Sequence, residues 1–343
     1  MSSQAAALLE KVLSGAHLTE QESESMLYAM GAGELAAPLA GGLLAALRAK
    51  GEVAAEIRGA ARAMRGLAVK PDIPAGGHYV EIVGTGGDGS SSLNLSTGSA
   101  LLAAACGAQV VKHGNRSVSS RSGSADVLQA LGLPVPLDDE QVGASLRTLC
   151  FTFLFAPRYH PAMRHIAPVR AAMGVRTLFN ILGPLTNPAR PPFHVIGAFS
   201  EPMAALMAET LSGMEAARSL VVHGARGWDE PTPVGPFVCF DVRPGSVVRT
   251  VRDPADYGLS RCSTDALRGG EPNENAARLR NALCGGDTRA HREALILGAA
   301  LALEVTGAAP DAGSAVQRAR EVIEEGGGRR FVERLESFVS GKD

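Results

Sequence analysis

Apolar residues recur at helical spacing over the first seventy or so positions. Leu8, Leu9, Val12 and Leu13 form one face, Met26, Leu27 and Met30 a second, and the pattern continues through Leu43, Leu44 and Leu47, then Val53, Ile57, Ala60 and Met64. Thr19-Glu20-Gln21-Glu22 is a capping-box pattern that opens the second of these helices, because a hydroxyl and a carboxylate three residues apart can each accept from the other's backbone N–H. Pro71, Pro74, Gly76 and Gly77 then break the periodicity and mark a linker.

Beyond the linker, short β-branched or aromatic runs alternate with helical ones, the signature of a largely parallel α/β sheet. Strands are predicted at Tyr79 to Val83, Gln109 to Val111, Phe151 to Phe155, His194 to Ala198 and Leu220 to Val222. Helices are predicted between them, including Ser99 to Cys106, Asp138 to Leu149, His160 to Met173 and Glu201 to Leu211. Phe237 to Val242 and Val247 to Val251, separated by Pro244-Gly245, read as a hairpin at the sheet edge. Helices near Asn275 to Leu283, Arg289 to Val305 and Gly313 to Glu325 close the chain. The prolines of the 177–188 segment interrupt the alternation and suggest a crossover between layers. The expected fold class is therefore α/β, with a small all-helical domain and a large α/β domain whose mostly parallel central sheet is flanked by helices. The first is expected to span 1–72, with a later contribution from about 176–212, and the second 73–343.

Composition narrows the functions open to such a fold. A net charge of -2 provides no whole-molecule field for nucleic acid or an anionic membrane, so any anion site must be local. Cys106, Cys150, Cys239, Cys262 and Cys284 are scattered without C-x-x-C spacing, which fits reduced, structural thiols in a cytoplasmic protein. The N-terminus lacks the apolar core of a signal peptide. Ser90 to Val111 is charge-free and as long as a membrane span, but Asn94, Gln109, several hydroxyls and turn signals at Gly98 and Gly107 favour a loop, a buried helix and a strand.

Two glycine-rich and hydroxyl-rich segments carry the candidate chemistry. Gly84-Thr85-Gly86-Gly87-Asp88-Gly89 leads into Asn94-Leu95-Ser96-Thr97 at a strand-to-helix turn, where free N–H groups and the helix dipole favour phosphate. Lys112-His113-Gly114-Asn115-Arg116-Ser117-Val118-Ser119-Ser120 follows the next strand. Taken singly, the first segment also reads as a tight turn with Ser96 and Thr97 as helix caps, and the second as a solvated basic turn. Two such loops at one edge of a parallel sheet describe a polyanion pocket. A polyphosphate pocket commonly needs a divalent cation, and Mg²⁺ takes one or two carboxylates plus phosphate and water oxygens. Asp229-Glu230 is the best candidate pair, although adjacent acids in a loop are usually only solvated charge. Arg170 has the planar fork that recognises a carboxylate, and the Phe155 to Pro161 run, which includes His160, could wall a flat apolar ligand. Asn273-Glu274-Asn275-Ala276 after Gly269-Gly270 reads equally as a helix start.

Together with Ser122-Gly123-Ser124-Ala125-Asp126 and Asn180 to Pro188, these segments resemble the anthranilate phosphoribosyltransferase family, in order and over the whole chain. The resemblance implies phosphoribosyl transfer from phosphoribosyl pyrophosphate to anthranilate, in tryptophan biosynthesis, by a Mg²⁺-dependent cytoplasmic homodimer with no nucleic-acid or membrane partner. By match to the family motifs, Gly84, Gly87, Asp88, Ser92, Asn94, Leu95, Ser96, Thr97, Lys112, His113, Gly114, Asn115, Arg116, Ser117, Val118, Ser119, Ser120 and Ser124 would contact phosphoribosyl pyrophosphate. Gly84, Asn115 and Arg170 would contact anthranilate; Ser96, Asp229 and Glu230 would serve the metal; Lys112, Asp229 and Glu230 would be catalytic. Ser92 stands where a threonine is common, and Trp228 and Pro231 flank the acids where smaller or aliphatic residues are usual. The glycine loop alone is shared with pyrimidine nucleoside phosphorylases. A nucleic-acid-binding relative on the same scaffold would show a basic surface and lack the carboxylates.

Overall fold

The computed structural model describes residues 2–117 and 121–341 and opens with four helices, α1 (Ser2–Leu13), α2 (Glu20–Gly31), α3 (Ala37–Lys50) and α4 (Ala54–Gly66). The capping box at Thr19 forms as the sequence predicts: the Glu22 N–H donates to Thr19 Oγ1 at 3.2 Å, and Glu22 accepts from the Thr19 N–H at 2.7 Å. Buried Glu56 fastens the bundle internally, accepting the N–H groups of Leu18 at 2.8 Å and Val53 at 3.0 Å and pairing with Lys50 at 3.0 Å.

The rest of the chain winds around one sheet. In order come β1 (Tyr79–Gly84), α5 (Leu95–Ala105), β2 (Gln109–Gly114), α6 (Ser124–Ala130), α7 (Asp139–Leu149), β3 (Phe151–Phe155), α8 (Ala156–Tyr159), α9 (Met163–Met173), α10 (Phe179–Leu182), β4 (Phe193–Gly197), α11 (Glu201–Ser212) and β5 (Arg218–His223). The hairpin β6 (Phe237–Arg243) and β7 (Ser246–Arg252) and the helices α12 (Pro272–Leu283), α13 (Arg289–Val305), α14 (Ala312–Glu324) and α15 (Gly327–Ser340) complete it. The seven strands lie in the order β3-β2-β1-β4-β5-β6-β7, parallel from β3 to β5 and antiparallel at β6 and β7. The chain steps outward from β1 to β3, then returns to the other side of β1 at β4. That reversal opens a crevice beyond the C-terminal ends of β1 and β4, where Gly84 and Gly197 are register partners.

Two large apolar clusters cover the sheet. One is built around α5 and α13, and Ala294 through Val305 of α13 is buried on every side, as expected of an almost uniformly apolar helix. The other joins Val221, Phe240 and Val242 of the sheet to α1–α4 and to residues of α9, α10 and α11. No described helix is long and apolar enough to cross a membrane, so Ser90 to Val111 is indeed loop, helix and strand.

The boundaries differ from expectation in places that matter. The helix after the glycine loop starts at Leu95, so Ser96 and Thr97 lie in its first turn and Asn94 holds the cap position. Gly98 is inside that helix and makes no turn; a Cβ there would come 2.6 Å from both Leu279 and Leu295, so the glycine lets helices approach closely. β2 runs on to Gly114, which places Lys112 and His113 in the sheet and not in a solvated turn. The helix expected from His160 begins at Met163, after the separate turn of α8. The last helix, α15, has no counterpart among the expected elements.

Candidate active site

The acidic pair lies across the ends of β1, β4 and β5. Gly197 and Gly224 make this possible, since a Cβ on either would overlap the carbonyl oxygen of Asp229 or Glu230. Trp228 is buried in the core, and its carbonyl accepts the Gly224 N–H at 2.9 Å, which closes the loop beneath the acids. Asp229 Oδ2 accepts the Gly86 N–H at 2.5 Å, and its own N–H donates to Asp88 Oδ2 at 3.3 Å. Glu230 Oε1 accepts the Ser96 N–H at 3.1 Å in the first turn of α5. Thus Asp229 and Glu230 share one crevice with Gly84, Asp88 and Ser96, more than a hundred positions earlier in the sequence.

Burial and the neighbouring carboxylates push Asp229 up to about 7 and Glu230 up to about 8, against the hydrogen bonds from Gly86 and Ser96. Negative charge is under-compensated here, which is the condition a divalent cation relieves. Among the described residues no three His, Cys, Asp or Glu side chains form a metal cage, so a cation would need substrate and water oxygens as well. The residues present fit Mg²⁺ on those terms.

The glycine loop is shaped for anions. Gly86, Gly87 and Gly89 have φ of +69°, +75° and +72°, a left-handed run that side chains disfavour. Among the described residues, the N–H groups of Gly87, Asp88 and Gly89 donate no hydrogen bond, and the buried Thr97 hydroxyl has no partner. Ser90 donates to Asp88 through both N–H and Oγ, at 3.0 and 2.9 Å, and Ser92 Oγ lies 3.2 Å from Ser90 Oγ. The Leu95 side chain is buried in the apolar cluster around α5, so it could offer a ligand no more than its backbone. Asn94 donates to the Ser122 carbonyl at 3.0 Å and accepts from Asn275 at 2.9 Å.

Lys112 is nearly inaccessible. Its Nζ donates to the Ile82 carbonyl at 2.6 Å, and burial pushes it down to about 8, while Glu81, Glu230 and Asp229 pull the other way. Glu81, fully buried on β1, accepts the His113 N–H at 3.1 Å and is itself pushed up to about 8 by burial. The His113 ring meets His160 edge-on, with centroids 5.0 Å apart. Burial pushes the two histidines down to about 3 and about 4, so both are neutral at physiological pH.

After Gly114 the chain turns. The Asn115 carbonyl accepts Ser124 Oγ at 3.2 Å, and Asp126 accepts the N–H groups of Ser117 and Gly123, each at 3.0 Å. The Arg116 guanidinium is engaged by Asp126 at 2.9 Å and Gln129 at 2.8 Å. Val118, Ser119 and Ser120 lie outside the described residues. Arg170 is set apart on α9, half-buried over the Phe179 ring at 5.2 Å. Its guanidinium has no hydrogen-bonding or ion-pair partner among the described residues, and burial lowers its pKa, so a carboxylate ligand would be welcome there.

Four residues outside the expected set join this network: Glu81, Asp126, Arg176 and Asn275. Asp126 belongs to the Ser122 to Asp126 motif, and Asn275 to a segment that reads as a helix start. Arg176 carries no local signal at all, because its partner Gly87 lies 89 positions away.

The site and fold define a glycosyl transferase of two parts. Residues 6–68 match the model of the glycosyl transferase family helical bundle domain, and residues 76–329 that of its a/b domain. Within that class the chain belongs to the anthranilate phosphoribosyltransferase family. It is 45% identical over 332 residues to the anthranilate phosphoribosyltransferase of Desulforudis audaxviator, covering 96% of this chain and 95% of the relative. The crystal structure of the Thermus thermophilus anthranilate phosphoribosyltransferase superposes with a TM-score of 0.90 at 44% identity, covering 97% and 99% of the two chains. The Saccharomyces cerevisiae enzyme, solved with PRPP and Mg, shares the fold, with a TM-score of 0.88 at 24% identity and 99% coverage of both chains.

Proposed function

We propose that this chain transfers the phosphoribosyl group of 5-phosphoribosyl 1-pyrophosphate to the amine of anthranilate, giving N-(5-phosphoribosyl)anthranilate and pyrophosphate. The observation that carries the reading is the crevice itself: two carboxylates held by the backbone N–H groups of Gly86 and Ser96, facing a glycine loop with unused donors. Donor phosphates would lie on the loop and the first turn of α5, and the pyrophosphate would be the leaving group. Mg²⁺, held by Asp229, Glu230 and the Ser96 hydroxyl, would stabilise the charge that develops on departing pyrophosphate. Lys112 would add a buried positive charge to the same end of the crevice.

The reacting anomeric carbon would develop oxocarbenium character, as in other glycosyl transfers. The protein then needs to aim the amine more than to deprotonate it. Arg170 and Asn115 would hold anthranilate for that attack, which is an orientation effect. The helical part, residues 1–72 with 176–212, would carry part of the acceptor side, a reading supported by the shared apolar cluster of α1–α4 with α10 and α11. Homodimerisation belongs to the same proposal.

The test is loss of anthranilate fluorescence on adding phosphoribosyl pyrophosphate, with and without Mg²⁺. The expected result is metal-dependent consumption with one pyrophosphate released per anthranilate. Folded protein that turns over no anthranilate, but releases base from uridine or thymidine in a phosphate-dependent reaction, would redirect the assignment to nucleoside phosphorolysis.

A further inference from the structure

The segment joining α9 to α10 brings Arg176 onto the glycine loop. Its guanidinium donates to the Gly87 carbonyl at 2.7 Å and lies over the Phe199 ring, 4.6 Å from the centroid. It sits so close that a Cβ on Gly87 would come within 2.9 Å of it. The Arg176 carbonyl accepts from Arg48, near the end of α3, at 2.6 Å, so the segment is also anchored to the helical bundle.

A peptide group is a rigid plane in which the carbonyl of one residue points opposite to the N–H of the next. Fixing the Gly87 carbonyl therefore fixes the Asp88 N–H, which donates to nothing among the described residues. Two peptides earlier, across the Gly86–Gly87 peptide, the Gly86 N–H is fixed by Asp229. Across residues 86–88 the backbone of the turn is thus gripped at two points, by Asp229 on the Gly86 N–H and by Arg176 on the Gly87 carbonyl, while the Asp88 side chain is tied to the Asp229 N–H. Because both Gly86 and Gly87 have positive φ, the turn has little conformational preference of its own to replace either grip.

We propose that Arg176 is a positioning residue for the phosphoribosyl donor: it holds the Gly87–Asp88 peptide so that the Asp88 N–H is presented to the donor's phosphates. This rests on the phosphoribosyl-transfer reading above. A planar cation is needed, since the group must stack on Phe199 and reach the carbonyl at once, which a lysine ammonium does poorly.

Arg176→Gln, Arg176→Lys and Phe199→Leu test it with two readouts. The first is amide hydrogen exchange over residues 85–92 in the substrate-free protein, and the second is the KM for each substrate. Arg176→Gln should speed exchange in that loop and raise the KM for phosphoribosyl pyrophosphate roughly tenfold, about the worth of one charge-assisted hydrogen bond. The anthranilate KM and kcat should stay within about twofold, and the melting temperature should fall by no more than about 2 °C. Arg176→Lys should rescue only part of the effect, and Phe199→Leu should fall between. Wild-type loop exchange and wild-type donor KM in Arg176→Gln would overturn the proposal, as would equal rises in both KM values. If the unaltered protein transferred nothing to anthranilate, the exchange data would still judge the loop claim, and the failure would belong to the proposed reaction.

Discussion

Asn275→Ala removes a joint that connects three segments around the proposed donor crevice. Asn275 is 1% exposed; its amide donates to Asn94 Oδ1 at 2.9 Å and its carbonyl accepts the Gly270 N–H at 2.7 Å. Asn94 in turn holds the Ser122 carbonyl, and the Gly269 N–H donates to the Ser91 carbonyl at 3.0 Å. Two hydrogen bonds at a net of about 1 kcal/mol each, plus partial desolvation of whichever partner stays dry, cost about 2–3 kcal/mol. For a chain of this length that lowers the melting temperature by roughly 3–4 °C, with an unchanged urea m-value if the native state is otherwise intact. The functional loss should fall on one side only. Asn94 and the turn before α5 belong to the proposed donor site, so the KM for phosphoribosyl pyrophosphate should rise about tenfold and that for anthranilate less than about threefold. Asn275→Asp separates the two bonds: it keeps an acceptor for Gly270 but sets a carboxylate against Asn94 Oδ1, and should reproduce the KM effect. A normal donor KM in Asn275→Ala, or an equal rise for anthranilate, would refute the reasoning.

Asp229→Asn combined with Glu230→Gln should cut turnover by about 10²-fold or more at limiting Mg²⁺, measured as pyrophosphate release, and wild-type turnover would remove the metal assignment. Gly197→Ala forces a Cβ onto the Asp229 carbonyl, so the acid loop must shift; kcat/KM should fall by about 10²-fold or more, since the displacement exceeds about 1 Å, and a near-normal value would show that the loop can relax. Arg170→Ala should raise the anthranilate KM by about tenfold or more while leaving the donor KM nearly unchanged, and equal effects would count against a carboxylate contact. His194 gives a pH prediction: it is 1% exposed, and burial, reinforced by Arg65, pushes it down to about 3. The unfolded chain, with an imidazole near 6.5, binds more protons than the native state below that pH. Stability is therefore complete above about pH 6.5 and lost as pH falls toward 3, by about 2 kcal/mol at pH 5.0 from this group alone. Urea titrations of wild type and His194→Gln at pH 7.5 and 5.0 should differ in pH dependence by that amount, and parallel behaviour would rule it out.

What the sequence made legible follows from the range of the physics involved. The capping box at Thr19, the Pro244-Gly245 hairpin and the β3 strand depend on neighbours within a few residues, and each appears as expected. The glycine loop was recognisable because backbone freedom is written in residue type. Lys112 was harder: beside His113 and Arg116 it looks like part of a solvated basic turn, and only the pairing of β2 with β1 and β3 shows it to be buried. Ser96 and Thr97 looked like caps because hydroxyls before an apolar run usually are. Here Asn94 occupies the cap position, but its side chain is engaged with Ser122 and Asn275 and makes no capping bond.

The same distinction explains how the crevice is assembled. Each carboxylate is oriented by a backbone donor from a distant segment: Gly86 for Asp229 and Ser96 for Glu230. Backbone donors leave no signature in residue type, so the acid pair could be named from sequence but not its anchorage. Glycines at 197 and 224 supply the complementary condition, since the acid loop lies against the strand ends where no side chain intervenes. Two acids held this way in a buried site are raised above the ordinary carboxylate range, a cost that bound positive charge would offset. A site whose charge is incomplete by itself is suited to recognise the cation and the polyphosphate together, because each supplies what the other lacks.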